Sequence, residues 1–187
     1  MDKLKAIQLA YKEFEEAQHK KGRKRFWETE VGIYGPTYID IIYRFLMQIH
    51  IGNEAKFLDL GSGDGRAVLV ASLFCKAEGI EYNKELVEES RTIAKKIGIN
   101  ATFHQGDYLS FNISKFDIIF INPDHGFHKG LDEKLAKEMQ SHQVLWVHNS
   151  IFLPEKLKKG RTIWIDQMPI IEYRRESGVE MENAKSS

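Results

Sequence analysis

Apolar positions along this chain switch repeatedly between helical and extended spacing. Leu4, Ile7, Tyr11 and Phe14 recur at helical intervals among lysines and glutamates, and predict an amphipathic helix over 2–19. Ile39, Ile42, Tyr43, Leu46 and Ile49 predict a second helix, with Thr37 placed to cap it. After a turn at Gly52-Asn53-Glu54, the run Phe57-Leu58-Asp59-Leu60 reads as a strand. Ala67, Val70, Ala71 and Phe74 then fall on one face of a helix. The pattern repeats. A strand over 77–81 precedes a helix capped by Asn83, with Leu86, Ser90, Ile93, Ala94 and Ile97 facing inward and Lys95, Lys96 and Gly98 closing it. A third strand ends before Gly106. The run 116–121 is almost continuously apolar, as in a strand covered on both faces. Residues 131–140 predict a helix, 143–148 a fifth strand, and 161–166 with 170–174 a closing antiparallel pair. Seven strands with helices between the first five define a doubly wound, mostly parallel α/β sheet with an N-terminal helical extension.

Composition narrows the function classes. The 187 residues carry 27 basic and 27 acidic side chains, so formal net charge is zero. A dedicated duplex binder is usually strongly basic, which lowers the expectation of a nucleic-acid partner. Cys75 is the one cysteine, with the character of a small buried apolar residue; it rules out an internal disulfide and suits a reducing cytoplasm. No apolar run is long enough to cross a bilayer, and no secretory signal opens the chain. The length fits one domain, divided as a helix and basic, aromatic loop over 1–33, the main unit over 34–175, and a polar tail over 176–187. The basic run Lys20-Lys21-Gly22-Arg23-Lys24-Arg25 has two readings: charges that suit a helix C-terminus, or a patch for RNA or an acidic protein surface.

The candidate chemistry lies at the strand ends. Gly61, Gly63 and Gly65 fall at alternate positions between the first strand and its helix, a turn over which a ligand can approach the main chain. The spacing differs from the G-x-G-x-x-G of dinucleotide sites, and Asp59 and Asp64 flank it. Carboxylates there repel a pyrophosphate and suit a cation or an amine. Glu81 ends the second strand, where a carboxylate accepts from both hydroxyls of a ribose. Asp107 follows the third, where it can accept from an adenine amino group. Ribose, adenine, a positive centre and no phosphate describe S-adenosylmethionine.

In these residues the chain resembles the class I, seven-strand methyltransferases. LDLGSGDG (58–65), GIEYN (79–83), QGDY (105–108) and FDIIFINPD (116–124) match that family's motifs in order, and the resemblance covers about 34–175. It implies S-adenosylmethionine as cofactor, held by Asp59, Gly61, Ser62, Gly63, Asp64, Arg66, Glu81, Tyr82, Asp107, Tyr108 and Asn122. Tyr34-Gly35-Pro36-Thr37 matches the Tyr-x-Pro-Thr segment of the seven-strand lysine methyltransferases, which places Tyr34 and Thr37 at the methionine end. Asn122-Pro123-Asp124-His125 resembles the Asn-Pro-Pro-aromatic motif of amino-group methyltransferases, with Asp124 for the second proline and His125 for the aromatic ring. Those replacements weaken the recognition of a planar base. Asn122, Asp124, His125 and Tyr34 are the catalytic candidates. Asp124, His125 and His128 lack further ligands at metal-binding spacing, so no metal is expected. The resemblance favours a protein lysine as methyl acceptor. A nucleic-acid base is the alternative, supported by Asn122-Pro123 and the basic run. A cofactor-binding subunit that activates a partner is a third, supported by the altered fourth motif.

Overall fold

The structure is a computed structural model and describes residues 2–176; from 177 onward the predicted polar tail lies outside the described residues. The chain runs α1 (Lys3–Lys20), β1 (Trp27–Glu28), β2 (Ile33–Tyr34), α2 (Ile39–Gln48), β3 (Lys56–Leu60), α3 (Arg66–Ala71), β4 (Lys76–Glu81), α4 (Lys84–Ile97), β5 (Thr102–Gln105), β6 (Ile118–Ile121), α5 (Leu131–Glu138), β7 (Val144–His148), β8 (Lys158–Ile165) and β9 (Met168–Arg174). Seven strands form one sheet in the order β5-β4-β3-β6-β7-β9-β8. The first five are mutually parallel, and β9 pairs antiparallel with both β7 and β8. Strand order reverses at β3, so the ends of β3, β4 and β6 open onto one crevice, where ligands of such sheets bind.

Both faces of the sheet are covered. Phe57, Phe120 and Trp146 pack on one face against α1 to α4, with the Phe45 ring 5.0 Å from Trp146. Leu58, Leu60, Ile119 and Val147 pack on the other, against Leu131, Leu135 and Met139. This two-sided burial is why β3 and β6 read as apolar runs rather than alternating ones.

Three local expectations need correction. Thr37 does not cap α2: Tyr38 holds the N-cap position without a side-chain bond, and Thr37 is turned inward and buried. The aromatic, glycine-rich loop contains a small antiparallel ladder of β1 and β2. β8 begins at Lys158 rather than 161, with a register shift between Lys159 and Thr162. Its exposed charged start is what an edge strand needs to resist pairing with other chains, and it hides the strand from a hydrophobicity reading.

His148, at the end of β7, is 3% exposed, and neither ring nitrogen finds a hydrogen-bond partner among the described residues. Burial pushes its pKa down to about 4. Below its ordinary value of about 6.5 the unfolded chain takes up a proton that the folded chain refuses. Stability should therefore fall as pH drops, by about 2 kcal/mol between pH 7 and pH 5. Urea unfolding followed by circular dichroism at those two pH values checks this, and His148→Phe should flatten the dependence.

Candidate active site

The glycine turn is built around Gly65. Its φ is +78°, and a β-carbon there would lie 2.5 Å from the Phe103 ring and 2.7 Å from Ser90 Oγ. Only glycine meets both conditions. Gly61 and Gly63 share the positive φ, at 72° and 53°. Gly61 and Ser62 both donate their N–H to the Ile80 carbonyl, each at 2.9 Å, which fastens the turn to the end of β4. Above it lies a cleft of about 350 Å³. Every residue predicted for the cofactor or for catalysis lines this cleft, from Tyr34 and Thr37 through the ends of β3, β4 and β5 to His125.

The acids at these ends have different surroundings. Asp64 is 2% exposed and internally matched: Arg66 donates to it from Nε at 3.0 Å and from Nη2 at 2.7 Å, and the Tyr34 hydroxyl donates at 2.7 Å. Tyr11 donates to the Asp64 carbonyl at 2.7 Å, and its ring lies under the Arg66 guanidinium at 4.7 Å. Burial works against the charge on Arg66, but the Asp64 carboxylate outweighs it and holds the pKa above its ordinary value. Asp59 is the opposite case. It is 4% exposed, and no described residue donates a hydrogen bond or an ion pair to its carboxylate. Burial, and then the nearby Glu81 and Asp64, push its pKa well up. A buried carboxylate in such surroundings would be eased by a cation brought into the cleft. Of the two acids that flank the turn, Asp59 is the one whose charge favours a cation, because Asp64 is already balanced by Arg66.

Glu81 is oriented by two main-chain donors, Gly63 N at 2.9 Å on Oε2 and Asn83 N at 2.8 Å on Oε1. Burial raises its pKa, and those donors act against the rise. Each oxygen keeps a lone pair for a hydroxyl, which suits a ribose diol. Asp107 is exposed, with Oδ1 accepting from Leu109 N at 2.8 Å.

Beyond β6, Asn122 donates from Nδ2 to Thr37 Oγ1 at 3.1 Å and to the Gly35 carbonyl at 3.5 Å. Its amide oxygen accepts nothing from the described residues. This is the work of the Thr37 hydroxyl in place of a helix cap. Asp124 receives Ile33 N at 2.6 Å on Oδ2 and lies 2.5 Å from His125 Nδ1 through Oδ1. Gly32 permits this docking, since a β-carbon there would lie 2.0 Å from Asp124 Oδ2. The β1–β2 hairpin is thereby fastened over one side of the cleft. His125 Nε2 lies 3.5 Å from the Tyr108 hydroxyl. Tyr34, buried with its ring stacked on Trp27 at 3.9 Å, has its pKa raised by burial and then by Asp64, so its hydroxyl stays protonated.

Two contributors escaped the sequence reading. Tyr11 lies on the buried apolar face of α1, and nothing in the local sequence marks its hydroxyl as a partner of Asp64. Asn149, with φ of 123°, donates from Nδ2 to the Pro123 carbonyl at 3.2 Å. An asparagine just past an apolar strand signals a turn, and that signal was present in the sequence.

A doubly wound sheet whose strand ends open onto one acid-lined cleft has the architecture of a nucleotide- or nucleoside-binding enzyme. A family model described as a methyltransferase domain matches residues 51–166, and the chain belongs to that family. It is a class I S-adenosylmethionine-dependent methyltransferase, with S-adenosylmethionine as cofactor. A protein-lysine N-methyltransferase of Saccharolobus islandicus (strain REY15A) is 28% identical over 112 residues, covering 57% of this chain and 70% of that protein. The fold is similar to that of an RNA methyltransferase from Salinibacter ruber solved with S-adenosyl-L-homocysteine, with a TM-score of 0.67 and 24% identity over 81% of this chain and 99% of that one. The PH0226 protein of Pyrococcus horikoshii OT3 also shares the fold, with a TM-score of 0.60 and 14% identity over 74% of this chain and 89% of that one.

Proposed function

We propose that this enzyme N-methylates lysine side chains of proteins. The observation that carries the reading is the engagement of Asp124, which stands where the motif's second proline belongs and is tied to Ile33 N and His125 Nδ1. A planar exocyclic amine needs two acceptors and a stacking ring. Here Asn149 Nδ2 already takes one lone pair of the proline carbonyl, and the place of the stacking ring is held by His125, which Asp124 holds through Nδ1. A site without that flat aromatic face suits an aliphatic amine. The 28% identical lysine methyltransferase supports the same choice.

The cofactor, when bound, supplies a methyl group on a sulfonium, held by Asp59, Glu81, Asp107 and the glycine turn. The residues beyond β6 deal with the acceptor. A lysine arrives protonated, with an ordinary pKa of about 10.4. Asn122 Oδ1 accepts one N–H and orients the nitrogen. With Asp124 accepting from His125 Nδ1–H, the lone pair of that ring lies on Nε2, where it can take the ammonium proton. The docked hairpin shields the cleft from water, which lowers the cost of holding the neutral amine.

Incubation with methyl-labelled cofactor and a protein extract should place label in methyllysine after acid hydrolysis. Asn122→Ala should lower kcat about a hundredfold, with cofactor affinity changed only a few-fold. Label confined to RNA would favour the base-methylating reading, to which Asn122-Pro123 and the fold shared with an RNA methyltransferase lend support. We place the enzyme in the cytoplasm, on the strength of its single thiol and the absence, among the described residues, of a helix long and apolar enough to cross a membrane.

A further inference from the structure

A second cavity, of about 200 Å³, lies between α1 and the β1–β2 hairpin. Tyr34 and Pro36 line both it and the cofactor cleft, so one wall separates the two. Its floor is aromatic, formed by Phe14 and Trp27. Its rim is the basic run, with Phe26 beside it 60% exposed.

The charges here are unequal in what they leave over. Arg23 is taken up by Glu85, in a paired contact of 2.9 and 2.7 Å, and by Gln18. Glu15, the acid at this cavity, is taken up by Arg66 at 2.9 Å. Lys24 and Arg25 are exposed, and no carboxylate of the described residues lies within ion-pair distance of either. Arg25 instead lies over the Tyr38 ring at 4.2 Å. The cavity therefore presents two uncompensated cations above an aromatic floor, beside the wall of the methyl-transfer cleft.

We propose that this groove receives an acidic segment of the protein substrate, next in sequence to the lysine being methylated. The proposal rests on the lysine reading above and adds the substrate class. Two cations match one or two carboxylates on a short extended segment. A polynucleotide gains its affinity from many phosphate contacts, whereas this groove offers two cations left without a carboxylate. Apolar or aromatic side chains of the same segment find Phe26 and Trp27.

The test uses two fluorescein-labelled peptides, one with aspartates beside its lysine and one with asparagines in their place. By anisotropy the wild-type chain should bind the aspartate peptide about tenfold more tightly. The double variant Lys24→Glu with Arg25→Glu should abolish that difference. It should raise KM for the aspartate peptide about tenfold at unaltered kcat, with unchanged affinity for S-adenosylhomocysteine showing that the fold is intact. Equal binding of both peptides, with lysine methylated in each, overturns the groove and leaves the lysine reading standing. Binding that depends on Lys24 and Arg25 without any lysine methylation supports the groove and sinks the lysine reading. Binding of polyadenylate, lost in the double variant, with neither peptide bound, overturns the proposal in favour of a nucleic acid.

Discussion

Asp59→Asn should weaken S-adenosylmethionine binding about a hundredfold, roughly 3 kcal/mol, while making the ligand-free protein more stable. The two effects have one cause. The carboxylate is buried, crowded by Glu81 and Asp64, and receives no donor from the described residues. Charge-assisted contacts to a buried group contribute about 1.5–3 kcal/mol each, which sets the scale of the loss. Without its cation the same charge is a liability, and removing it should raise stability by about 1–2 kcal/mol. The pH dependence has a definite sign. Because the folded pKa lies above the unfolded value, the folded chain retains a proton that the unfolded chain has released. Asp59 therefore costs stability as pH rises from its ordinary value through its raised one, and the asparagine variant should lack that decline. Calorimetric titration and urea unfolding at neutral pH provide both readouts. Undiminished affinity in the variant would remove Asp59 from the cofactor site.

Arg66→Met should have the larger effect on folding. The guanidinium is 5% exposed and joins Asp64 to Glu15, with Tyr11 beneath it. Its loss leaves the Asp64 carboxylate buried beside the Asp59 carboxylate. Breaking a buried pair from one side costs about 3–5 kcal/mol, which lowers Tm by about 10 °C in a chain of this size. Adding Asp64→Asn should recover much of that loss, since no stranded charge remains. Thermal unfolding of the single and double variants gives the coupling directly. A single variant within 1 °C of wild type would show that the network carries little of the fold.

The framework was legible because burial on both faces writes strands as apolar runs, and because the acids at 59, 81 and 107 sit where those runs stop. Site membership was legible for the same reason: strand ends are positions in sequence as well as in space. Division of labour among the acids was not. Asp59 and Asp64 look alike in the string, and only the arrival of Tyr34 and Arg66 at one of them separates their charges. Thr37 shows the same limit: a threonine before a helix suggests a cap, yet its hydroxyl serves Asn122, 85 residues away. β8 stayed partly hidden because an edge strand needs polar residues where a central strand needs apolar ones.

The stretch recognised as the family's domain, 51–166, is smaller than the body that folds. It stops between β8 and β9, yet β9 lies in the sheet between β7 and β8. It begins after Tyr11 and Tyr34, which complete the hydrogen bonding of Asp64. A gene fragment trimmed to the matched region would encode a sheet with an inner member missing and a glycine turn open at the back. Hydrogen bonds, rather than similarity, mark where this enzyme can be cut: among the described residues they reach from Asp2, which caps α1, to Arg175, which donates to the Met139 carbonyl at 3.3 Å.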